Sequence, residues 1–132
     1  MKGWSITQSV IALSSGEADY YGMVKGASVA LGVRSVLNDM GVRKTIRLST
    51  DASAAKGIAS RKGLGKVRHI EVNQLWLQDK VASGGLDVVK VQGSENIADA
   101  LTKYVTASEV RRHVIATGQG FSEGRHALMP SA

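Results

Sequence analysis

The feature that most constrains the fold is one long helical pattern near the start of the chain. From Glu17 to about Met40, apolar side chains recur at helical spacing. Ser14 and Glu17 have the spacing of a capping box at its start, and Gly41 follows its end as a C-cap. In a chain of 132 residues, we expect so long a helix to be central and buried.

The core around this helix has to be built largely from small side chains. Aromatic residues make up only 5% of the chain, and many of its apolar residues are Ala and Val. Gly22, Gly26 and Gly32 weaken the helix by about 1 kcal/mol each relative to Ala. Such glycines usually indicate close packing against a neighbouring element. We expect Trp4 and Trp76 to lie in the core rather than to stack on a ligand.

The rest of the chain is predicted to form short strands and short helices, and it contains no internal repeat. Strands are predicted over Trp4–Leu13, Thr45–Thr50 and Leu86–Val91. Helices are predicted from an Asp51 cap through Ile58, from Val72 to Ser83, from Ser94 or Asn96 through Leu101, and from Ala107 to Thr117. The length suits one domain, which we place at residues 1–118, with residues 119–132 as a loose tail.

The charge balance permits a polyanionic partner. Lys and Arg number 17 against 11 acids, which gives a net charge of +6 and a pI near 9.8. An excess of positive charge is compatible with binding to nucleic acid, and it is equally compatible with a role in solubility alone. The densest basic cluster is Lys56, Arg61, Lys62, Lys66 and Arg68, which either contacts a nucleic-acid backbone or forms a solvated, mobile loop.

Other classes of protein are excluded by composition. The chain has no cysteine, so a disulfide framework and a thiolate metal site are ruled out. Its apolar runs are too short for a transmembrane helix or a secretory signal. We expect a soluble, intracellular protein that does not bind membranes.

Three acids lie where predicted elements meet. Glu17 fits a capping box, Asp51 fits an N-cap, and Asp99 fits the first turn of a late helix. Taken singly, each acid is therefore more simply explained by a structural role at the start of a helix. Together they also suit a phosphodiesterase, because a pair of divalent cations needs carboxylates that converge from several elements. The residues alone leave both interpretations open.

Four segments resemble copia-type retrotransposon ribonuclease H domains, in that family's order. VIALSSGEADYY at residues 10–21 is similar to the signature ALSSxEAEY, and STDASAA at residues 49–55 is similar to DNxxA. VRHIEV at residues 67–72 resembles KHIDI, and ENIADALTK at residues 95–103 resembles NxADxLTK. The resemblance extends over most of the chain.

This resemblance implies an α/β ribonuclease H-like fold with a mixed sheet and helices around it. It implies hydrolysis of the RNA strand of RNA·DNA hybrids with two Mg²⁺ or Mn²⁺ ions. Glu17, Asp51 and Asp99 then correspond to catalytic residues and metal ligands. Ser53 and His69 would be auxiliary residues, although a histidine at such a position more often orders the start of a helix.

The family's first catalytic aspartate has no counterpart in this sequence, because only Met1 to Gly3 precede Trp4. Asp19 points about 200° away from Glu17 around a helix and cannot replace it, and Glu71 belongs to a different motif. We therefore expect a ribonuclease H-like fold that lacks its first two strands and is inactive as this fragment.

Two kinds of partner follow from that expectation. The nucleic-acid partner is an RNA·DNA hybrid or another nucleic acid. The protein partner is an upstream polyprotein segment, or a second copy that pairs with the exposed edge of the sheet. The alternative to an enzyme is a non-catalytic nucleic-acid-binding or interaction module left from a retroelement.

Overall fold

The computed structural model of the chain describes residues 7–8, 11–63, 70, 74–101 and 103–120. It contains two units, residues 6–96 (the larger unit) and residues 97–132 together with 1–5 (the smaller unit). Each unit is described by itself below.

The larger unit is built on the long helix α1 (Ser15–Asp39). The Ser14 hydroxyl accepts a hydrogen bond from the Glu17 backbone N–H at 3.2 Å, which satisfies a donor that the first turn leaves unpaired. After the C-cap residue Met40, Gly41 has φ +80°, a conformation that favours glycine. The helix predicted from the Ser14 cap to Gly41 is therefore confirmed at both ends.

Burial along α1 is confined to its first half. Val24 is 6% exposed, whereas Val33 and Val36 are 52% and 59% exposed. The prediction of a buried helix is confirmed for the first half and wrong for the second. Within the described part of the chain, no atom of another element lies within 4 Å of a Cβ built on Gly26 or Gly32. The prediction that these two glycines pack closely is therefore wrong.

Two short strands pair in parallel beside α1. They are β1 (Arg47–Thr50) and β2 (Asp87–Lys90), with Arg47 opposite Asp87 and Thr50 opposite Lys90. Parallel strands need a crossover connection, and here it includes the helices α2 (Ser53–Ala59) and α3 (Trp76–Ala82). Both strands and both helices confirm predictions, with bounds that differ by up to four residues from the predicted ones. Gly84, with φ +76°, turns the chain before β2.

The core of the larger unit lies among the first half of α1, the helices α2 and α3, and the two strands. Tyr20 and Leu77 are its largest fully buried side chains, and the Tyr20 hydroxyl donates to the Gln74 carbonyl at 2.8 Å. Trp76 is half-buried against the core, as predicted. The buried apolar residues are Tyr20, Tyr21, Met23, Val24, Ala27, Ala55, Ile58, Ala59, Ile70, Leu77, Leu86 and Val88. The alanines in this set agree with the expected use of small side chains.

The strand predicted over Trp4–Leu13 is not found in the part of that segment that the structure describes. Residues 7–8 and 11–13 are in no strand, and Ile11 and Leu13 are exposed. The remainder, including Trp4, lies outside the described residues.

The smaller unit contains the helix α4 (Ala107–Ala116), which confirms the predicted last helix. The helix α4 begins with a capping box that was not predicted from the sequence. The Thr106 side chain accepts from the Glu109 N–H, and the Glu109 carboxylate accepts from the Thr106 N–H at 2.7 Å. The Thr106 hydroxyl also donates to the Glu109 carboxylate at 2.8 Å. The two bonds that this carboxylate accepts, first the one from the Thr106 backbone N–H and then the one from the hydroxyl, hold the pKa of Glu109 below its usual value.

The segment between β2 and α4 forms 3₁₀ helices at Gly93–Glu95 and Ile97–Leu101, where one short helix was predicted. Of the tail predicted at residues 119–132, residues 121–132 lie outside the description.

Over the described residues, the fold is mixed α/β with four α-helices and a two-stranded parallel sheet. This architecture is consistent with a ribonuclease H-like fold lacking its first two strands. Of the helices in the described ranges, none combines the length and the apolar character needed to cross a bilayer.

Candidate acidic site

Asp51 lies at the carboxyl end of β1, directly before α2. The prediction that it occupies the N-cap of α2 is wrong, because Ala52 holds that position. The preceding residue explains the shift, since the Thr50 hydroxyl accepts from the Ala52 N–H at 3.2 Å and shapes the turn. Asp51 is left half-buried at the end of a parallel strand, where α/β proteins commonly bind ligands.

The carboxyl ends of the two strands bring further polar groups next to Asp51. One carboxylate oxygen of Asp51, Oδ2, lies 3.7 Å from the position of a Cβ built on Gly93, so the Gly93 backbone passes close to it. Lys90, the last residue of β2, donates from Nζ to the Ser53 hydroxyl at 2.5 Å. Ser53, predicted as an auxiliary residue, therefore lies at this edge together with a lysine that the sequence analysis did not single out.

Glu17 is buried in the first turn of α1 and is 2% exposed. Its Oε2 accepts from the Leu13 backbone N–H at 3.1 Å. The predicted capping box is thus formed on the Ser14 side, while the reciprocal bond from Glu17 reaches one residue further back. A structural role for Glu17 is therefore confirmed, and any metal-binding role comes in addition to it.

A close approach of two backbones places the start of α1 against the start of α2. A Cβ built on Gly16 would lie 2.9 Å from the Ala54 Cβ, closer than real side chains approach. Only glycine fits at position 16 without a shift of one helix. The start of α1, which carries Glu17, therefore contacts the start of α2, the helix that follows Asp51.

Asp99 belongs to the smaller unit, in the first turn of the 3₁₀ helix Ile97–Leu101, as predicted. Its carboxylate pairs with Lys103 Nζ at 3.0 Å in an i,i+4 arrangement. The convergence of Asp99 with Glu17 and Asp51 remains a prediction.

The donor set suits a hard divalent cation, because carboxylate oxygens are the ligands that Mg²⁺ and Mn²⁺ prefer. Among the described residues, no three Asp, Glu, His or Cys side chains lie close enough together to hold a metal ion. Glu17 and Asp51 of the larger unit therefore need additional ligands before a pair of ions could bind.

The predicted basic cluster is only partly described. Lys56 in α2 and Arg61 after it are half-buried, and Lys62 is exposed. Lys66 and Arg68, together with the predicted auxiliary residue His69, lie outside the described residues.

The start of this cluster is held in place by a buried side chain that the sequence analysis did not single out. Gln78 on α3 bonds to the backbone on either side of the segment that carries Arg61 and Lys62. Its sequence signal was weak, because Gln78 is one of three consecutive polar residues, Gln78 to Lys80, that follow Leu77 on α3. Arg61 also lies near Tyr20. Burial raises the pKa of Tyr20 to about 12, and the positive charge of Arg61 acts in the opposite direction on that pKa.

Comparison with known proteins gives relatives in one class of polyprotein. The chain is 28% identical over 100 residues to the retrovirus-related Pol polyprotein from transposon TNT 1-94 of Nicotiana tabacum, which covers 74% of this chain. It is 28% identical over 99 residues to the retrovirus-related Pol polyprotein from transposon RE1 of Arabidopsis thaliana, which covers 73%. The chain's relatives are plant retrotransposon Pol polyproteins.

The match to these Pol polyproteins involves a small part of each. The chain spans 8% of the length of the tobacco polyprotein and 7% of the Arabidopsis one. The Pol relatives support a retroelement-derived domain. No protein-family model and no solved structure matches the chain.

Proposed function

We propose that this chain is a copia-type ribonuclease H domain derived from a retrotransposon, which hydrolyses the RNA strand of RNA·DNA hybrids once its acidic site is complete. The observation that carries the proposal is the position of Asp51. It follows a parallel strand, beside the point where the start of α1 meets α2. The four motifs in family order and the Pol polyprotein relatives support the same proposal.

In this proposal Glu17, Asp51 and Asp99 are ligands of two Mg²⁺ or Mn²⁺ ions, and a further carboxylate completes the set. When bound, such ions activate the attacking water and stabilise the leaving oxygen. The chain's own contribution is to fix its carboxylates on rigid elements. Asp51 is fixed by the end of β1, and Glu17 by its bond to the Leu13 N–H.

Binding of the hybrid is assigned to the basic cluster, Lys56, Arg61, Lys62, Lys66 and Arg68. Phosphate contacts of this kind hold a nucleic acid in register without reading its sequence. The net charge of +6 favours association with such a polyanion. Other segments of the polyprotein, or a second copy of the chain, are the proposed protein partners.

A second function is favoured by one observation, the burial of Glu17 in a bond to the backbone. A carboxylate used in this way stabilises a helix start whether or not a metal binds. The chain would then be a nucleic-acid-binding or interaction module without catalysis.

The test is cleavage of a labelled RNA·DNA hybrid in Mg²⁺ or Mn²⁺, with and without a polyprotein segment that carries the family's first aspartate. We expect cleavage only with the segment, and loss of cleavage in Asp51→Asn. Asp87→Asn is the matched control, because Asp87 is an exposed acid at the other end of β2, paired with Arg47. Hybrid that is bound but not cut, even with the segment, would contradict the nuclease and support the binding module.

A further inference from the structure

Both the nitrogen and the oxygen of the Gln78 side-chain amide form hydrogen bonds within the larger unit. The residue is 5% exposed. Its Nε2 donates to the Ile58 carbonyl at 2.8 Å and to the Gly63 carbonyl at 2.9 Å, and its Oε1 accepts from the Gly63 N–H at 2.8 Å. An amide has two N–H donors and a carbonyl acceptor, so every type of bond that Gln78 can form is used here.

The three bonds hold one short backbone segment at both of its ends. Ile58 is in the last turn of α2, and Gly63 lies just past that helix with φ +81°, a conformation that favours glycine. Arg61 and Lys62 lie between these two anchors. Their backbone is thereby fixed against α3, although they belong to a segment that sequence periodicity predicts to be a mobile loop.

A fixed backbone lowers the entropy cost of binding a ligand through the charges of Arg61 and Lys62. Ordering a flexible basic loop on binding costs conformational entropy, both of its backbone and of each side chain that is immobilised. In this chain the backbone part of that ordering is already complete before any ligand arrives. Lys62 is exposed, so its ammonium group is presented to solvent from a defined position.

We propose that Gln78 is a positioning residue for nucleic-acid binding, and that it holds Arg61 and Lys62 in a fixed arrangement for contact with the phosphates of an RNA·DNA hybrid. This inference rests on the hybrid binding proposed above. Gln78 itself makes no contact with the nucleic acid, because it is buried. Its effect passes through the backbone of Gly63.

The test is the dissociation constant of the full chain for a labelled RNA·DNA hybrid, measured over a series of salt concentrations. Gln78→Met keeps the length of the side chain and removes all three hydrogen bonds. We expect binding about fivefold weaker at a given salt concentration, which corresponds to about 1 kcal/mol of ordering. The slope of log Kd against log salt stays unchanged, because the number of phosphate contacts is the same.

Two other variants test whether the effect passes through the backbone segment between Ile58 and Gly63. Lys62→Gln removes a phosphate contact, so it lowers the salt slope by about 0.9, unlike Gln78→Met. Gly63→Ala meets open space around its new Cβ but strains the backbone of the same segment, so it weakens binding in the same direction. Gly63→Ala also keeps the test decisive if Gln78→Met does not fold.

A double-variant comparison decides between positioning and general stability. In a chain that carries Arg61→Gln and Lys62→Gln, we expect Gln78→Met to have no further effect on binding. A Gln78→Met chain that melts earlier but binds the hybrid as well as the original chain would overturn the inference alone. Failure of the original chain to bind the hybrid would overturn both the inference and the hybrid binding on which it rests.

Discussion

The two halves of α1 carry a similar apolar pattern, but the first half is buried and the second half is exposed. In the first half, Tyr20, Val24 and Ala27 are buried in the core with α2 and the strands. In the second half, Val33 and Val36 are exposed, and Arg34 donates to the Gly85 carbonyl at 2.9 Å. Periodicity therefore predicts a helix, whereas burial depends on which other elements are present to cover it.

The difference also bears on where function lies. The buried half begins with Glu17 and with the close approach of Gly16 to Ala54, beside the helix that follows Asp51. A start that is capped, buried and tightly packed is a rigid support for a carboxylate. The buried half of α1 therefore supports the position of Glu17, one of the carboxylates of the candidate acidic site.

A matched pair of valine-to-alanine substitutions distinguishes the buried half of α1 from the exposed half. Val24→Ala removes two methyl groups from the core, so we expect the free energy of unfolding to fall by about 2 kcal/mol. Val36→Ala removes the same groups from an exposed position and should change it by less than about 0.5 kcal/mol. Urea denaturation of both variants measures the difference, and equal losses would show that the second half is buried as well.

A smaller effect is expected at the tight contact between α1 and α2. Gly16→Ala places a methyl group 2.9 Å from the Ala54 Cβ, so we expect a loss of about 1 kcal/mol of stability. Adding Ala54→Gly should recover part of that loss. The control is Gly32→Ala in the exposed half, which should stabilise the helix by about 0.5–1 kcal/mol. Gly16→Ala that stabilises as Gly32→Ala does would contradict the close contact.

Features encoded by neighbouring residues could be predicted from the sequence. The bounds of α1 follow from Ser14 at one end and Gly41 at the other, and both caps form within a few residues of chain. The strands at Arg47–Thr50 and Asp87–Lys90 follow from alternation and from the turns beside them. The position of Asp51 after a strand was predicted on the same basis.

Two kinds of feature could not be predicted: which of several neighbouring residues caps a helix, and which residues far apart in sequence contact each other. Thr50 and Asp51 are both good turn formers, and only the structure shows that Ala52 holds the N-cap of α2. The parallel pairing that brings Lys90 to Ser53 joins residues 37 apart in sequence. The bonds from Gln78 to Ile58 and Gly63 likewise require the packing of α3. No local pattern encodes these contacts.

A Mn²⁺ titration of the isotopically labelled chain, followed by paramagnetic broadening of its backbone NMR signals, tests whether a cation binds at Asp51. This readout detects weak occupancy and does not require catalysis. We expect selective broadening at Asp51, Ser53 and Gly93 in the original chain and in Asp87→Asn, and its loss in Asp51→Asn. Broadening that is absent from this edge, or that is unchanged in Asp51→Asn, would contradict a cation site at the carboxyl ends of the strands.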